Sequence, residues 1–320
     1  HWTQNRYALS RRLWRALASI LEAHMKLSHS PVFIILCLIS AYSFAECEHP
    51  DWKMTTVSTH IVIGELKAPD SSVIETAKSN NERFVDYSLY NPTYIKGENL
   101  GDNLTIRHYS FREPSRYYPK LDQIIQLNEK QVIAFLQLER DPEKSNSACD
   151  SEAPEFVMYF TRNTSCSVNR FSDKLRNVVS NEVKNQKEIA AKDLSLQFAD
   201  AQIDKTVRSI IERMLNKDTA IDAYKEMESL GFKAVPYIIK HLNDTRELPV
   251  KRITLENKSP KAFEALRHYN VNNVIEVLSA ILNQMTGSYF YYLKRGKTDR
   301  HQYEIAAWKI WLQHNIELVK

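Results

Sequence analysis

Glycine is scarce in this chain, six residues in 320, where an average composition of about 7% would supply more than twenty. The six are Gly64, Gly97, Gly101, Gly231, Gly287 and Gly296. They build no phosphate-cradling loop, which excludes a Walker-A loop, a dinucleotide fingerprint and a kinase Gly-rich loop. A Gly-x-Ser-x-Gly elbow and a His-Glu-x-x-His pair are also absent, removing two hydrolase signatures. Cysteine is sparse at four residues, and no two are spaced as a zinc knuckle. Neither a cofactor nor a metal is expected from these residues. What remains is an ordinary soluble composition, 26% charged and 43% hydrophobic, long enough for two domains.

The start of the chain carries export chemistry. Met25 and Lys26 precede the apolar run Val32–Leu38, which continues to Phe44 and ends in Ser43-Phe44-Ala45. A charge, a short apolar core and small residues at −3 and −1 are the pattern of a secretory signal peptide. The run is shorter than the ~20 residues a membrane span needs. Cleavage after Ala45 is expected, with residues 1–24 read as upstream sequence; an N-terminal anchor helix is the competing reading. Cys47 follows Glu46, where a lipid-attachment box requires a small residue. A periplasmic or secreted protein without membrane insertion follows.

Removing that segment changes the charge. Residues 1–45 hold five of the 43 basic side chains and one of the 39 acidic ones, so 38 of each remain. A nucleic-acid binder needs a basic face, and a neutral mature chain argues against that class.

From Ser58 the pattern is that of strands: His60–Lys67, Phe84–Tyr90, Asn103–Phe111, Lys130–Glu139 and Glu155–Arg162. Leu104 and Ile106 alternate with Thr105 and Arg107, a period of two. Val132-Ile133-Ala134-Phe135-Leu136 is apolar on both faces, as in a barrel wall. Five such strands punctuated by Pro, Asn and Gly predict a small OB-like barrel. The order Cys47, Ile61-Val62-Ile63-Gly64-Glu65, Tyr94-Ile95-Lys96-Gly97, Leu104-Thr105-Ile106-Arg107, Val132–Leu136 and Thr164-Ser165-Cys166-Ser167 resembles exported bacterial netrin-like barrels, relatives in fold of the tissue inhibitors of metalloproteinases. The resemblance spans residues 46–171. In those inhibitors an N-terminal cysteine chelates the protease zinc; here Glu46 would stand first and Cys47 second, which argues against that mechanism.

Cys47, Cys149 and Cys166 lie beyond the signal segment, in a compartment that permits disulfides. The strand Glu155–Arg162 would hold Cys149 and Cys166 about 26 Å apart at ~3.3 Å per residue, beyond the ~7 Å a bridge allows. Cys47–Cys166 is therefore the expected bridge, as the netrin-like resemblance also implies, with Cys149 as the spare thiol.

Residues 172–202 are polar and glycine-free and are expected to form a partly helical connector. Beyond Asp204 the period becomes 3.6: Val207, Ile210, Ile211, Met214 and Leu215 fall on one helix face, with Asp204 as the expected cap. Further helices are expected at Thr219–Leu230, Lys233–Leu242, Pro260–Tyr269, Asn272–Thr286 and Arg300–Asn315, with Thr245–Ser259 as an insertion. Lys233–Asp244, and Leu278–Gly287 followed by Trp308–Trp311, resemble exported HEAT-like helical domains. The expected fold is α+β: a barrel followed by an all-α domain over residues 203–320, built of helical hairpins.

Seven histidines follow Ala45, none at metal-ligand spacing; His108 is placed on a strand, and His241 and His268 on helices. Trp308 and Trp311 read as core. Tyr289-Phe290-Tyr291-Tyr292 runs into Lys294, Arg295, Lys297 and Arg300, and aromatics beside basic donors are typical of recognition surfaces. These eight residues are the candidate partner-binding set; an edge strand or hinge wedged between helices is the competing reading. The acidic run Glu139–Glu155 could face them. The expected function is that of an exported non-enzymatic binding or scaffold protein with a protein partner, for instance an envelope immunity or inhibitor protein. A hydrolase or thiol enzyme with a site between the domains is the alternative.

Overall fold

A computed structural model describes residues 52–80, 84–109, 124–140, 156–160, 167–193, 197–256, 266–288, 290 and 300–319. The signal segment, all four cysteines and the acidic run from residue 141 lie outside the described residues, as do Gly296 and seven side chains of the partner-binding set.

The chain is mixed α+β, and its first half is a closed five-stranded barrel. Its strands are β1 (His60–Lys67), β2 (Phe84–Lys96), β3 (Asn103–Tyr109), β4 (Lys130–Arg140) and β5 (Phe156–Phe160). They follow one another around the barrel as β1-β2-β3-β5-β4, and β4 closes on β1. Every neighbouring pair is antiparallel except β3 with β5. The expected strands are all found, to within a few residues at most of their ends; β2 runs six residues past Tyr90 because Tyr94 and Lys96 go on to pair with β1. A short strand β6 (Val168–Arg170) adds to β4 beyond β5. Two helices that strand periodicity does not announce, α1 (Trp52–Val57) and α2 (Ser71–Ser79), flank β1.

The apolar run in β4 is explained by two cores. Val132, Ala134 and Leu136 point into the barrel with Val62, Leu89 and Ile106. Ile133 and Phe135 point outward, beside Ile61 and Ile63, and are covered by Met54 of α1 and by Leu175, Val179 and Val183 of the next helix. A wall buried on both faces has no polar face to alternate with.

That next helix, α3 (Asp173–Ala191), occupies most of the stretch expected to be a polar connector. Ser172 caps it, its hydroxyl accepting from the Leu175 amide at 3.2 Å, and Leu175, Val179, Val183, Gln186 and Ile189 form a buried stripe. Its polar residues face outward, which is why composition alone gives it the look of a linker.

Helices α4 (Ala201–Met214), α5 (Ala220–Ser229) and α6 (Val235–Lys240) follow, the last preceded by a tight turn at Phe232–Ala234. The cap of α4 is Asp200, whose carboxylate accepts from the amides of Gln202 and Ile203 at 2.9 and 3.1 Å. Asp204 sits inside the first turn instead. Gly231, with φ +72° and ψ −172°, follows α5 and opens the turn in a positive-φ conformation that suits glycine.

The expectation of an all-α second half is corrected here. Strands β7 (Arg252–Glu256) and β8 (Leu266–Asn270) pair antiparallel, with Ile253 opposite Tyr269 and Leu255 opposite Arg267. Residues 266–269, expected at the end of the helix Pro260–Tyr269, alternate because Tyr269 packs into the helical core beside Ile253 and Leu255, and tertiary burial overrides local preference. His268 consequently lies on a strand, its Nδ1 2.8 Å from Thr254 Oγ1. Helix α7 (Val274–Thr286) is buried nearly all round, and α8 (Arg300–His314) and α9 (Ile316–Val319) end the chain. Trp308 and Trp311 are core residues as expected, their ring centroids 6.0 Å apart.

Candidate functional site

Of the eight partner-binding candidates, only the Phe290 side chain is described. It is 3% exposed, and its ring meets Trp308 edge-on at 4.8 Å between centroids. Phe290 is thus committed to the core, which removes it from any partner surface. Tyr289, Tyr291, Tyr292, Lys294, Arg295 and Lys297 lie outside the described residues, as does the Arg300 side chain. Cys47 and Cys166 lie outside them too.

Two polar clusters stand out among the described residues. The first joins α4 to the end of α6. Asp204, Arg208 and Glu212 recur every four residues and so share one face of α4. Asp204 is buried, and both its oxygens are engaged: Oδ1 lies 3.1 Å from His241 Nε2, while Oδ2 accepts from Lys240 Nζ at 3.1 Å and Arg208 at 3.2 Å. One turn further on, Arg246 forks onto Glu212 (2.9 and 3.1 Å) and onto Asp244 (2.6 to 3.1 Å). Burial alone would raise the Asp204 carboxyl, but hydrogen bonds from His241 and Lys240 outweigh it and hold it below the usual range. The bond to Arg246 lowers Glu212 in the same direction. Carboxylate and cation alternate along the seam, so each charge meets its counter-ion within the chain.

The second cluster surrounds α1. A six-residue helix cannot sustain itself, and its terminal carbonyls need outside donors. Lys96 Nζ on β2 donates to Thr55 O at 2.6 Å and Thr56 O at 3.3 Å. Gln137 Nε2 on β4 donates to Val57 O at 3.1 Å. Gln186 Nε2 on α3 donates to Trp52 O at 3.0 Å and to Glu182 Oε1 at 2.7 Å. The Trp52 ring stacks on His314 of α8, 4.5 Å between centroids and 1° from parallel. Barrel, α3 and α8 therefore all hold α1, and Lys309 of α8 ties in the end of α3 through Ala190 O and Lys192 O.

Beside Lys96 lies buried His60. Its Nδ1 is 3.0 Å from Thr59 Oγ1, and its Nε2 has no hydrogen-bond partner among the described residues. Gly97, at φ +91°, backs the ring so closely that a Cβ there would stand 2.3 Å from the imidazole. Burial lowers His60, with Glu98 opposing and Lys96 adding to the shift. Burial also pushes Lys96 down to about 7, assisted by Lys187. The Lys96 side chain as a whole is half-buried.

In chemical terms, the first cluster holds an imidazole against a carboxylate, and the second holds an amine and an imidazole of weakened basicity. Sequence reasoning singled out none of these roles. The one signal present was the i, i+4, i+8 spacing of Asp204, Arg208 and Glu212. No group of three or more His, Cys, Asp or Glu side chains suited to a metal occurs among the described residues. No helix there is long and apolar enough to cross a membrane. No family model matches the chain, and neither do any curated protein or solved structure.

Proposed function

We propose that this chain is an exported, non-enzymatic protein-binding protein, with residues 46–171 forming an OB-type, netrin-like barrel and residues 203–320 carrying HEAT-like helical hairpins. One observation supports the reading above others. Asp204, the carboxylate that His241 faces, has both its oxygens engaged by Arg208, Lys240 and His241 of its own chain, and catalysis needs such a pair to face a reacting atom. The strand order β1-β2-β3-β5-β4 with closure on β1 supports the OB-type barrel. The packing of α4 on α5, and of α7 on α5 and α6, supports stacked hairpins. In this reading the recognition surface is the aromatic and basic stretch Tyr289, Tyr291, Tyr292, Lys294, Arg295, Lys297 and Arg300, without Phe290. The partner is a protein of the cell envelope, as for an immunity or inhibitor protein.

The test is capture from envelope extract by the immobilised protein, followed by titration calorimetry with the captured protein once identified. Stoichiometric binding, lost in the K294E/R295E/K297E variant at unchanged Tm, is the expected result. Turnover of ester, peptide or thiol-ester substrates that is lost on substitution of Cys149 or His241 would favour the enzyme instead.

A further inference from the structure

Strands β7 and β8 form a two-stranded ribbon within the helical half. Their five residue pairs run without a bulge. Ile253, Leu255 and Tyr269 bury into the helical core, while Arg252, Thr254, Glu256, Leu266, His268 and Asn270 are exposed. β7 packs against α7, and β8 is the strand beyond it. Among the described residues β8 pairs with no strand but β7. There, too, no backbone bond joins Leu266, His268, Tyr269 or Asn270 to any other element. Every second peptide group of a strand points away from its partner, so half of those in β8 are turned outward. Sheets ordinarily guard such an edge with lysine, proline or a bulge. Leu266-Arg267-His268-Tyr269-Asn270 has none of these, and Leu266 is 51% exposed. Two strands alone are marginal, and a sheet gains stability from a third and a fourth.

We propose that β8 is a self-association edge: two copies of the chain pair antiparallel through β8, about a two-fold axis at His268, into a four-stranded sheet. The strand fits a second copy of itself. With His268 on the axis, Leu266 stands opposite Asn270 of the second copy, and Arg267 opposite its Tyr269. The pairing works whichever peptide groups face outward, because residues equidistant from the axis share one phase of the ladder. On the exposed face each outer cross-strand row reads Glu256, Leu266, Asn270, Arg252, with acid at one end and base at the other. On the covered face Arg267 meets a tyrosine ring, a favourable cross-strand pair. No two fixed charges of like sign stand opposite each other. The one residue that faces itself is His268, whose Nδ1 lies 2.8 Å from Thr254 Oγ1 of its own ribbon. This match of charge along the rows selects a second copy over a foreign strand, and such a two-fold contact is the commonest oligomer symmetry. A five-residue edge buries less than the ~1,200 Å² of a standard interface. The association is therefore weak, with Kd on the order of 10–100 µM. It uses none of the residues assigned to the protein partner.

Sedimentation velocity of the purified protein at neutral pH, from about 2 to about 200 µM, tests the edge. A shift from monomer toward dimer over that range is expected. H268K and H268E each set like charges face to face on the axis, and each should raise the apparent Kd at least about 10-fold. Mixed in equal amounts, the two should recover the dimer, since a lysine then faces a glutamate. Hydrogen exchange gives a second reading: amide protection in residues 266–270 of the native protein should rise with concentration, while that of Ile133 and Phe135 does not. A native protein that is monomeric throughout overturns the proposal. So does a dimer that survives both single substitutions, or a mixture that stays monomeric. If either variant does not fold, exchange of the native protein decides: β8 protection independent of concentration overturns the edge.

Discussion

The seam between α4 and α6 matches three carboxylates with three fixed cations, whereas at the barrel end of the α1 junction an amine and an imidazole meet no carboxylate of the described residues within ion-pair distance. Both join a helix to its surroundings through polar side chains, yet they rest on different physics. At the seam, Asp204, Glu212 and Asp244 are stabilised as anions by Lys240, His241, Arg208 and Arg246, so acid weakens it by protonating carboxylates. At the junction the holding force is the apolar contact of Met54, Ile61, Ile133, Phe135 and α3, joined by the bonds that Lys96, Gln137 and Gln186 donate to carbonyls of α1. The seam is held by charge pairs at the surface, the junction by apolar burial with amine and amide donors.

The contrast can be broken most forcefully at Phe135. F135A removes a fully buried ring from under α1 and α3 and should cost ~3–5 kcal/mol in urea unfolding. Added salt should leave that loss unchanged. A cost below ~1 kcal/mol would mean that α1 and α3 are not held by this core.

Next in size is the seam. D204A strips Lys240, Arg208 and His241 of their shared anion, and because two of these partners are solvent-accessible the cost should be only ~1–2 kcal/mol. The sign with pH is fixed by the lowered Asp204 carboxyl: its contribution is present above the unfolded value and lost as pH falls through the folded one. Thermal melts from pH 6 to pH 2.5 should therefore show a shallower acid limb in D204N than in the native protein. An identical acid limb in the two would remove Asp204 from the account.

The junction is sharpened by two glycines. Both Gly97 and Gly101 have positive φ, +91° and +109°, so alanine is strained at either, at about 1 kcal/mol. Only at Gly97 would the added Cβ also strike the His60 ring. G97A should lose roughly twice as much stability as G101A, and equal losses would show that the imidazole yields freely. The smallest effect is expected at the half-exposed Arg246: R246A should cost less than about 1 kcal/mol, with the difference vanishing at 1 M salt.

The residues that were legible in the sequence are those whose environment is set by near neighbours. Leu104 and Ile106 alternate with Thr105 and Arg107 because one side of β3 faces the barrel core, and that alternation needs no knowledge of the partner strand. Val207, Ile210, Ile211 and Met214 declare α4 by spacing alone. Asp204 was misread because a carboxylate just before such a stripe is the ordinary sign of a cap; Asp200 took that role four residues earlier. Only a view of Lys240 and His241 shows what Asp204 does. In α3, the stripe from Leu175 to Ile189 is diluted by polar neighbours, so the helix looked like a tether until the barrel wall it covers was seen.

The sequence by itself determined the barrel strands, the periodic helices and the burial of Trp308 and Trp311, since hydrophobic periodicity is a local record of which side meets water. Tertiary structure alone decided that residues 266–270 form a strand, that Phe290 is core, and that Lys96 reaches two carbonyls of α1. Each of those outcomes depends on a surface brought in from far along the chain: Ile253 for Tyr269, Trp308 for Phe290, and the carbonyls of Thr55 and Thr56 for Lys96. Burial and desolvation are properties of the assembled neighbourhood, and no local pattern around a lysine foretells that its ammonium will face two carbonyls forty residues away.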